Sequence, residues 1–441
     1  MGEHVGFVWK DTRGMGTGNI WNNNLRSAFS ASPIIPVYDA DGNYNSTVNS
    51  DWNVNDGNPY GNMMVNRYNN SKNGSLDANV YVQIEPIKNL RFKTVYGISY
   101  GASEYRAYTP KYQFTPQTAN TVSKVNQSHG HGLSMVWTNT LSYDFNIATE
   151  HHVNALIGSE LSTYDGSNTE GSNTGLIPGF DDWDHAYLVN TNGTENKTVK
   201  GSPYDSTRGM SYFARLGWTW KERYMVNATM RADGSSKFAK GNRWGYFPSG
   251  SLAWAFGREN FVKDNLTWLS NGKLRVSYGL TGNNRIGDYD YMARLYASEN
   301  TYKYPWDSTF YPGYYVSSIA NPNLKWETTE QYDFGLDLGF LDGRLNLNID
   351  YYIKTTKDLL MNADTPASSG YATTRLNIGE LRNTGFEVTL ESTNIQNKNF
   401  TWSSSFNIAF NKNKILSLNY GQEQMTSYIS WDQKFRNQIA Y

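Results

Sequence analysis

The feature of this sequence that most constrains its fold is a two-residue alternation of apolar and polar side chains over unusually long runs. Before residue 341, one parity carries Tyr332, Phe334, Leu336, Leu338 and Phe340. The other parity carries Gln331, Asp333 and Asp337. Because successive side chains of a strand point to opposite faces, this stretch predicts a β-strand with one apolar and one polar face.

The alternation recurs along most of the chain. It resumes at 345–353 after Asp342-Gly343, a pair that favours a tight hairpin turn. The other alternating runs are 77–86, 89–101, 132–147, 151–163, 208–220, 223–233, 246–256, 273–282, 384–394 and 399–412. About twelve antiparallel strands are predicted, and residues 1–75 are too irregular to assign. Strands of soluble sheets usually have ~5–6 residues, whereas a tilted strand that crosses a bilayer needs ~9–11.

Loop lengths sort by rim, which is a second constraint on the fold. Short turns are predicted near 86–89, 147–151, 220–223, 341–343 and 395–399, and long connections at 102–131, 164–207, 283–324 and 357–383. The exception among the short turns is 257–272, which is predicted to contain a short helix. This sorting is typical of an outer-membrane β-barrel. A β-sandwich, propeller or jelly roll with an aromatic core remains an alternative from the alternation alone.

Composition excludes several classes of function. The chain has no Cys, so a disulfide framework, a thiolate metal site and a catalytic thiol are excluded. Its formal net charge of -1 lacks the basic footprint of a nucleic-acid binder. The mean hydropathy of -0.64 and the absence of long apolar runs exclude transmembrane helices. No phosphate-binding loop, nucleophile elbow or zinc-protease motif is present, so an enzyme is not expected.

Several longer blocks resemble a known family. The blocks are Arg231–Phe238, Asn242–Ser249, Lys273–Asn283, Asn321–Asp337 and Asn377–Glu387. Together they resemble the barrel of SusC/RagA-type TonB-dependent transporters of Bacteroidetes, over residues 35–415. The turn-forming and aromatic residues in them are interpreted as structural: Pro248 is expected to open a strand, and Trp254 and Trp326 to lie in an interfacial belt. The motif residues given this structural role are Arg231, Asp233, Gly234, Asn242, Arg243, Trp244, Pro248, Gly282, Asn283, Trp326, Gly385 and Glu387.

The resemblance implies an all-β fold, a transmembrane antiparallel β-barrel of which this chain supplies about 12 of about 22 strands. Residues 1–441 are interpreted as part of one barrel domain, with irregular strands and loops at 1–75, clear hairpins at 76–415 and a loop at 416–441 before the missing barrel end. A plug domain is not found in these residues. Open sheet edges are unfavourable in lipid, so other segments are expected to complete the barrel.

The function implied by the resemblance is nutrient import across the bacterial outer membrane. The implied cargo is an oligosaccharide or a peptide, and the implied partners are a SusD-like surface lipoprotein, the TonB-ExbB-ExbD system acting through the plug, and outer-membrane lipid. No nucleic-acid partner is expected. The alternative from another class is a secreted, soluble all-β module that binds glycans.

Candidate binding residues lie in the long loops, where aromatic side chains could stack on sugar rings and carboxylates could bind hydroxyls. The candidates are Asp181, Asp182, Trp183, Tyr304, Trp306, Tyr311 and Tyr314. Packing within the loops or contact with a lid lipoprotein is the alternative role. His129 and His131 would share a strand face, but no third ligand follows at a telling spacing. Gly42 falls too early for a calcium loop at Asp39–Asn43, so a turn is preferred and no cofactor or metal is expected.

Overall fold

The computed structural model describes residues 1–14, 24–48, 57–116, 118–194, 197–307, 309–371, 373–418, 424–428 and 436–440. The strands are β1 (Gly2–Arg13), β2 (Asn69–Ile87), β3 (Leu90–Thr109), β4 (Tyr112–Gln113), β5 (Ala119–Asn120), β6 (Lys124–Ile147), β7 (His151–Thr174), β8 (Thr198–Trp220), β9 (Tyr224–Ser235), β10 (Trp244–Trp254), β11 (Leu269–Asn283), β12 (Leu295–Trp306), β13 (Thr309–Val316), β14 (Glu327–Phe340), β15 (Leu345–Lys357), β16 (Leu360–Asp364), β17 (Thr373–Asn377), β18 (Glu380–Gln396), β19 (Thr401–Ser417), β20 (Gln424–Tyr428) and β21 (Arg436–Ala440). Three short helices are α1 (Asn24–Ser30), α2 (Pro59–Val65) and α3 (Asn260–Lys263), and single 3-10 turns lie at Leu188–Asn190, Phe256–Arg258 and Ala367–Ser369. None of the helices in these ranges is long and apolar enough to cross a membrane.

One antiparallel sheet of 13 strands dominates the fold, in the order β1-β2-β3-β6-β7-β8-β9-β10-β11-β14-β15-β18-β19. All twelve predicted runs are strands of this sheet, so the all-β prediction is confirmed. The additional strand, β1, lies in the segment that the sequence left unassigned, and it pairs with β2 along its whole length. Because β1 and β19 run in the same direction, antiparallel closure of this sheet requires an odd number of further strands.

The strands next to the longest loops extend well beyond the predicted runs. β6 and β7 each have 24 residues and β8 has 23. Their extensions toward the long-loop rim are polar on both faces, as in the Ser162–Thr174 part of β7. Alternation of apolar and polar residues therefore marks only part of each strand, and the remainder projects past a bilayer that needs ~9–11 residues.

The register of the sheet aligns apolar side chains into rows on one face. One row contains Leu274, Leu336, Ile349, Val388 and Ile408, and the next contains Val276, Phe334, Tyr351, Phe386 and Phe410. Most of these side chains are exposed, with Phe334 at 44% and Phe410 at 59%, and Leu336, Ile349 and Val388 are half-buried. An apolar face without a protein covering is what the outer surface of a membrane barrel requires, and we call it the outward face.

The opposite face, which we call the lumen face, carries charged side chains that pair with one another. Arg275 donates to Asp337 at 2.7 Å and to Asp350 at 2.9 Å. Arg231 on β9 donates to Asp233 on the same strand at 2.7 Å and to Glu160 on β7 at 3.3 Å. These charged side chains are partly exposed, so their ion pairs contribute little to stability. The pairs nevertheless fix the orientation of the side chains.

The short-turn rim follows the predicted turn chemistry. Leu341, Asp342 and Gly343 all adopt positive φ angles between β14 and β15, as the tight hairpin required. The exceptional turn between β10 and β11 contains α3, as predicted. Its Glu259 is buried and accepts from Tyr224 at 2.7 Å, Arg223 at 2.8 Å and Trp254 at 3.2 Å. This carboxylate therefore joins three elements at the rim.

The buried apolar clusters lie at the long-loop rim rather than within the sheet. One cluster is formed by Tyr108, Val125, Leu176 and Ala186, and the other by Phe238, Ile286 and Leu324. The 13-stranded sheet, which we call the wall, has no second layer packed on it among the described residues. Within 416–441, where the sequence predicted a loop, β19 continues to Ser417 and β20 and β21 form a short hairpin.

Candidate functional site

A cavity of about 910 Å³ lies at the long-loop rim, beside the outer ends of β2 and β3. Its walls come from the segment 38–44, α2, the β3–β4 connection and the loop 181–184. We call it the outer cavity. It is the place where three of the predicted binding residues, Asp181, Asp182 and Trp183, meet parts of the chain that precede them by more than 60 residues.

Aromatic side chains from distant segments form one wall of the outer cavity. Tyr38 stacks on Tyr44 with ring centroids 5.7 Å apart, and Tyr60 packs edge-on against Tyr38 at 6.2 Å. Tyr112 stacks on Phe114 at 5.0 Å. These residues lie in segments without alternation, so the sequence pattern does not mark them as binding residues. Their only signal was the local density of Tyr.

The loop that carries Trp183 is anchored by its aromatic side chain. The guanidinium of Arg106 lies 3.9 Å from the Trp183 ring centroid, and Tyr68 stacks on the same indole at 6.1 Å. Tyr108 donates to Asp181, at 3.0 Å to the backbone oxygen and 3.2 Å to the carboxylate. Trp183 is thus occupied by protein contacts. A role in positioning the loop suits it better than stacking on a ligand.

The loop packs on a defined side of the strand extensions. Tyr108 and Val125 are paired across β3 and β6, with the same parity as the outward residues Tyr96 and Trp137. Both are buried by the loop that follows β7, with Leu176 and Ala186. The loop therefore covers the outward face of these strands beyond the apolar band. The outer cavity, which this loop helps to line, therefore lies on the outward side of the rim.

Charges of both signs line the outer cavity. Arg67 donates to the Tyr68 hydroxyl at 2.7 Å, and the exposed Lys111 is also a wall residue. Asp182 accepts from the His185 ring at 2.8 Å and from its backbone N–H, and these bonds hold the pKa of Asp182 below its usual value. Burial, reinforced by Asp181, raises the pKa of the Tyr108 phenol. Asp182 is therefore ionised at neutral pH.

The remaining predicted binding residues lie on a separate hairpin formed by β12 and β13, which we call the aromatic hairpin. Tyr304 and Tyr311 are cross-strand partners whose rings stack at 5.9 Å. Trp306 is 69% exposed and Tyr314 is 73% exposed. No contact in the described ranges joins this hairpin to the outer cavity. The structure thus divides the predicted set between two surfaces.

The candidate metal ligands do not converge in the described part of the chain. His129 and His131 lie on the outward parity of β6, and the ring of His131 contacts the Ser167 hydroxyl at 3.3 Å. Asp39 accepts from the backbone N–H groups of Asp41 and Asn43, at 3.0 and 2.8 Å, which is the turn preferred from the sequence. No group of three His, Asp or Glu side chains suited to a metal occurs within the described ranges.

The motif blocks converge at one point of the long-loop rim, which we call the motif junction. Phe238 is fully buried and packs on Trp326 at 5.5 Å, and Phe247 meets the same indole edge-on at 5.5 Å. Gly282 is required there, because a Cβ atom would lie 2.1 Å from the Phe247 ring. The prediction that Trp326 lies in an interfacial belt is wrong, because its ring packs within the motif junction. Its partners lie in β10 and in the β9–β10 connection, and sequence periodicity does not reveal these contacts.

Hydrogen bonds close the motif junction. Trp326 donates to the Arg243 backbone oxygen at 3.0 Å, and Arg243 donates to the Phe238 backbone oxygen at 3.3 Å. Asn242 donates to the Pro322 oxygen at 2.9 Å. Asn283 donates to the Glu327 carboxylate at 2.9 Å. These bonds tie the β9–β10 connection to the segment before β14, and the end of β11 to the start of β14.

The other motif residues lie in the wall. Arg231, Asp233 and Glu387 are on the lumen parity, Gly385 lies beneath the Tyr352 ring, and Gly234 faces Trp244. Trp244 stacks on Tyr212 on the outward face, and Trp254 lies on the same face beside Glu259. The prediction that Pro248 opens a strand is wrong, because β10 begins at Trp244. Pairing of β10 with β11 begins only at Ser249, so on that side Pro248 needs no N–H.

Comparison with known proteins gives a consistent result. Residues 10–437 match the family model described as TonB dependent receptor-like, beta-barrel. The chain is 33% identical over 418 residues to TonB-dependent receptor P3 of Formosa agariphila, covering 93% of this chain and 39% of that protein. It is 43% identical over 216 residues to TonB-dependent receptor SusC of Bacteroides thetaiotaomicron, covering 48% of this chain and 21% of that protein.

A solved structure has the same fold. The chain is similar to the RagAB peptide importer in its closed-closed state, with a TM-score of 0.72 and 26% identity. The match covers 85% of this chain and 39% of that chain. The chain thus spans well under half the length of these relatives.

Proposed function

This chain belongs to the TonB-dependent receptor-like β-barrel family, and from that premise we propose that it forms part of an energy-coupled nutrient importer. Proteins of this family lie in the bacterial outer membrane and are transporters and receptors, not enzymes. The predicted outer-membrane location and the prediction that the protein is not an enzyme are therefore confirmed. The cargo that we propose is an oligosaccharide or a peptide. The proposed partners are a SusD-like surface lipoprotein and the TonB-ExbB-ExbD system.

The observation that carries the proposal is the two-faced wall. Rows of exposed apolar side chains such as Phe334 and Phe410 suit contact with lipid, and the paired charges around Arg275 suit an aqueous lumen. A soluble glycan-binding module would instead cover its apolar face with a second layer. The soluble alternative therefore has no support in the wall.

Cargo contact is proposed at the two aromatic surfaces of the long-loop rim. In the outer cavity, Asp181 and Asp182 would accept from hydroxyl or amide donors, with Trp183 holding their loop in place. On the aromatic hairpin, Tyr304, Trp306, Tyr311 and Tyr314 would offer exposed rings to sugar faces or to apolar side chains. Exposed aromatic groups on rigid strands bind with little loss of conformational entropy.

Growth tests address import directly. A deletion strain would be compared with the wild type on defined oligosaccharides and on peptide mixtures as sole nutrients, with complementation by the full-length gene. We expect loss of growth on one nutrient class, and the same loss when TonB is depleted. Unchanged growth and uptake across both classes would contradict the import proposal.

A pull-down addresses the lid. The full-length protein, tagged and extracted in mild detergent, is expected to retain a SusD-like lipoprotein in equal amount. Replacing Trp306 by Ala should lower either retention of the lipoprotein or uptake of the cargo, and Asp181→Ala serves as the outer-cavity comparison. Recovery of the barrel without any lipoprotein would contradict the partner part of the proposal alone.

A further inference from the structure

The outward face contains a groove that interrupts the otherwise convex apolar surface of the wall. It has a volume of about 620 Å³ and extends across six adjacent strands, β3, β6, β7, β8, β9 and β10. The groove exists because small side chains lie between large ones: Ala214 and Ala232 are flanked by Tyr212, Met230 and Tyr246. We call it the wall groove.

The position of the wall groove relative to the membrane follows from the strand directions. Tyr212 and Tyr246 lie in one row with Ala232, near the stacked pair of Tyr212 and Trp244 on the side of the long loops. Ile157, Ala214 and Met230 form the next row of the same parity, closer to the short turns. Tyr and Trp mark the membrane interface in such barrels. The groove thus begins at the outer-leaflet interface and continues into the hydrocarbon.

Two polar side chains interrupt the outward stripe at the interfacial end of the groove. Asn139 and Ser159 are cross-strand partners and lie between the outward pairs Trp137–Leu161 and Leu141–Ile157. Both line the groove. Neither has a hydrogen-bond partner elsewhere in the described part of the chain. A polar group that faces lipid without a partner is costly, so these side chains need a ligand that accepts or donates a hydrogen bond.

We propose that the wall groove is a binding site for one outer-leaflet lipid. An acyl chain lies along the apolar row of Ile157, Ala214 and Met230. The Asn139 amide, beside the Ser159 hydroxyl, donates to a carbonyl oxygen at the interfacial start of that chain. The occupant is a lipid because the groove opens on the face that meets the outer membrane and is continuous with its apolar rows. The proposal is independent of the cargo.

Native mass spectrometry of the detergent-purified full-length protein, titrated with dipalmitoyl phosphatidylethanolamine, tests the acyl part. We expect one lipid to bind ahead of the others. Ala214→Phe should fill the groove and lower that first occupancy about fivefold. Ala228→Phe, on the same face of β9 and outside the groove, is the matched control and should leave it unchanged. Equal binding by the wild type and Ala214→Phe, or equal loss in both variants, would overturn the site.

A second comparison tests the hydrogen bonds and does not depend on the folding of Ala214→Phe. The ether-linked analogue of the same lipid has no carbonyl oxygen. The wild type should bind the ester lipid about fivefold more tightly than the ether lipid, the effect of one hydrogen bond. Asn139→Leu should remove this preference while remaining folded, because it places an apolar group against lipid. A wild type without ester preference, or an Asn139→Leu variant that keeps it, would overturn the assigned role of Asn139.

Discussion

Replacing Leu336 by Arg places a charge on the outward face of β14. Leu336 is midway between Tyr332 and Phe340, and its row contains Leu274 and Ile349 on the adjacent strands. The eight residue steps from Tyr332 to Phe340 span roughly 26 Å along the strand, and a tilt of about 45° reduces this to roughly 19 Å across the membrane. Leu336 therefore lies near the bilayer midplane, where Arg costs about 2–4 kcal/mol.

The adjacent residue gives the matched comparison. Asp337 is on the lumen face, where Arg275 donates to both of its oxygens at 2.7 and 2.9 Å. In Asp337→Asn, Arg275 retains its bond to Asp350, so the expected cost is below about 1 kcal/mol. Leu336→Ala controls for the lost side-chain volume. Its cost should be below that of the Arg variant.

The assay is urea unfolding of the full-length protein in lipid vesicles, followed by Trp fluorescence. Leu336→Arg is expected to lower the free energy of unfolding by about 2–4 kcal/mol, well beyond the effect of Asp337→Asn. Equal effects of the two substitutions, or a larger effect of Asp337→Asn, would refute the assigned facing of β14.

Three further predictions concern the rims. Phe238→Ala should destabilise the motif junction by about 3–5 kcal/mol, measured by urea unfolding, because Phe238 is fully buried; Phe310→Ala on the exposed hairpin is the control, and a similar loss there would contradict the packing. Hydrogen bonds from Tyr224 and then Trp254 lower the pKa of Glu259, so its ionised form stabilises the fold above its unfolded pKa of about 4.3, and this contribution is lost as pH falls through the lower folded pKa. Unfolding of Glu259→Gln between pH 7 and pH 3 should therefore lack that part of the acid loss, and an unchanged pH profile would contradict the role of the carboxylate. Trp306→Ala should leave the free energy of unfolding within about 0.5 kcal/mol of the wild type, because its ring is mostly exposed; a larger loss in the same assay would show that the hairpin packs elsewhere.

The wall could be predicted from the sequence because its physical basis is local. Successive residues of β14 and β15 face lipid and water in turn. The face of each side chain, the turns and the strand order therefore follow from residues close together in the chain. β1 was not predicted, because apolar Val8 and charged Lys10 share one parity of its twelve residues and obscure the alternation. The outer parts of β6 and β7 were not predicted either, because neither of their faces meets lipid.

The rims could not be predicted to the same extent because their contacts join distant segments. Trp326 packs on Phe238, 88 positions earlier in the chain, and Trp183 lies against Arg106 and Tyr68. A Trp beside carboxylates resembles a sugar platform in sequence, and only the fold shows that its ring is occupied. Asn139 and Ser159 each interrupt the alternation of their strand at a single position, which carries little weight in the sequence. Only the strand register shows that the two polar side chains are cross-strand partners.

The central claim is that one face of this sheet meets lipid and the other meets water. These 441 residues contain no Cys, so a single Cys substitution from 332 to 340 introduces the one nitroxide site within them. Electron paramagnetic resonance of the labelled full-length protein in vesicles then compares accessibility to oxygen with accessibility to a water-soluble nickel complex. We expect high oxygen accessibility at 332, 334, 336, 338 and 340, and high nickel accessibility at the positions between them. Accessibility without a two-residue period, or with the two parities exchanged, would contradict the claim.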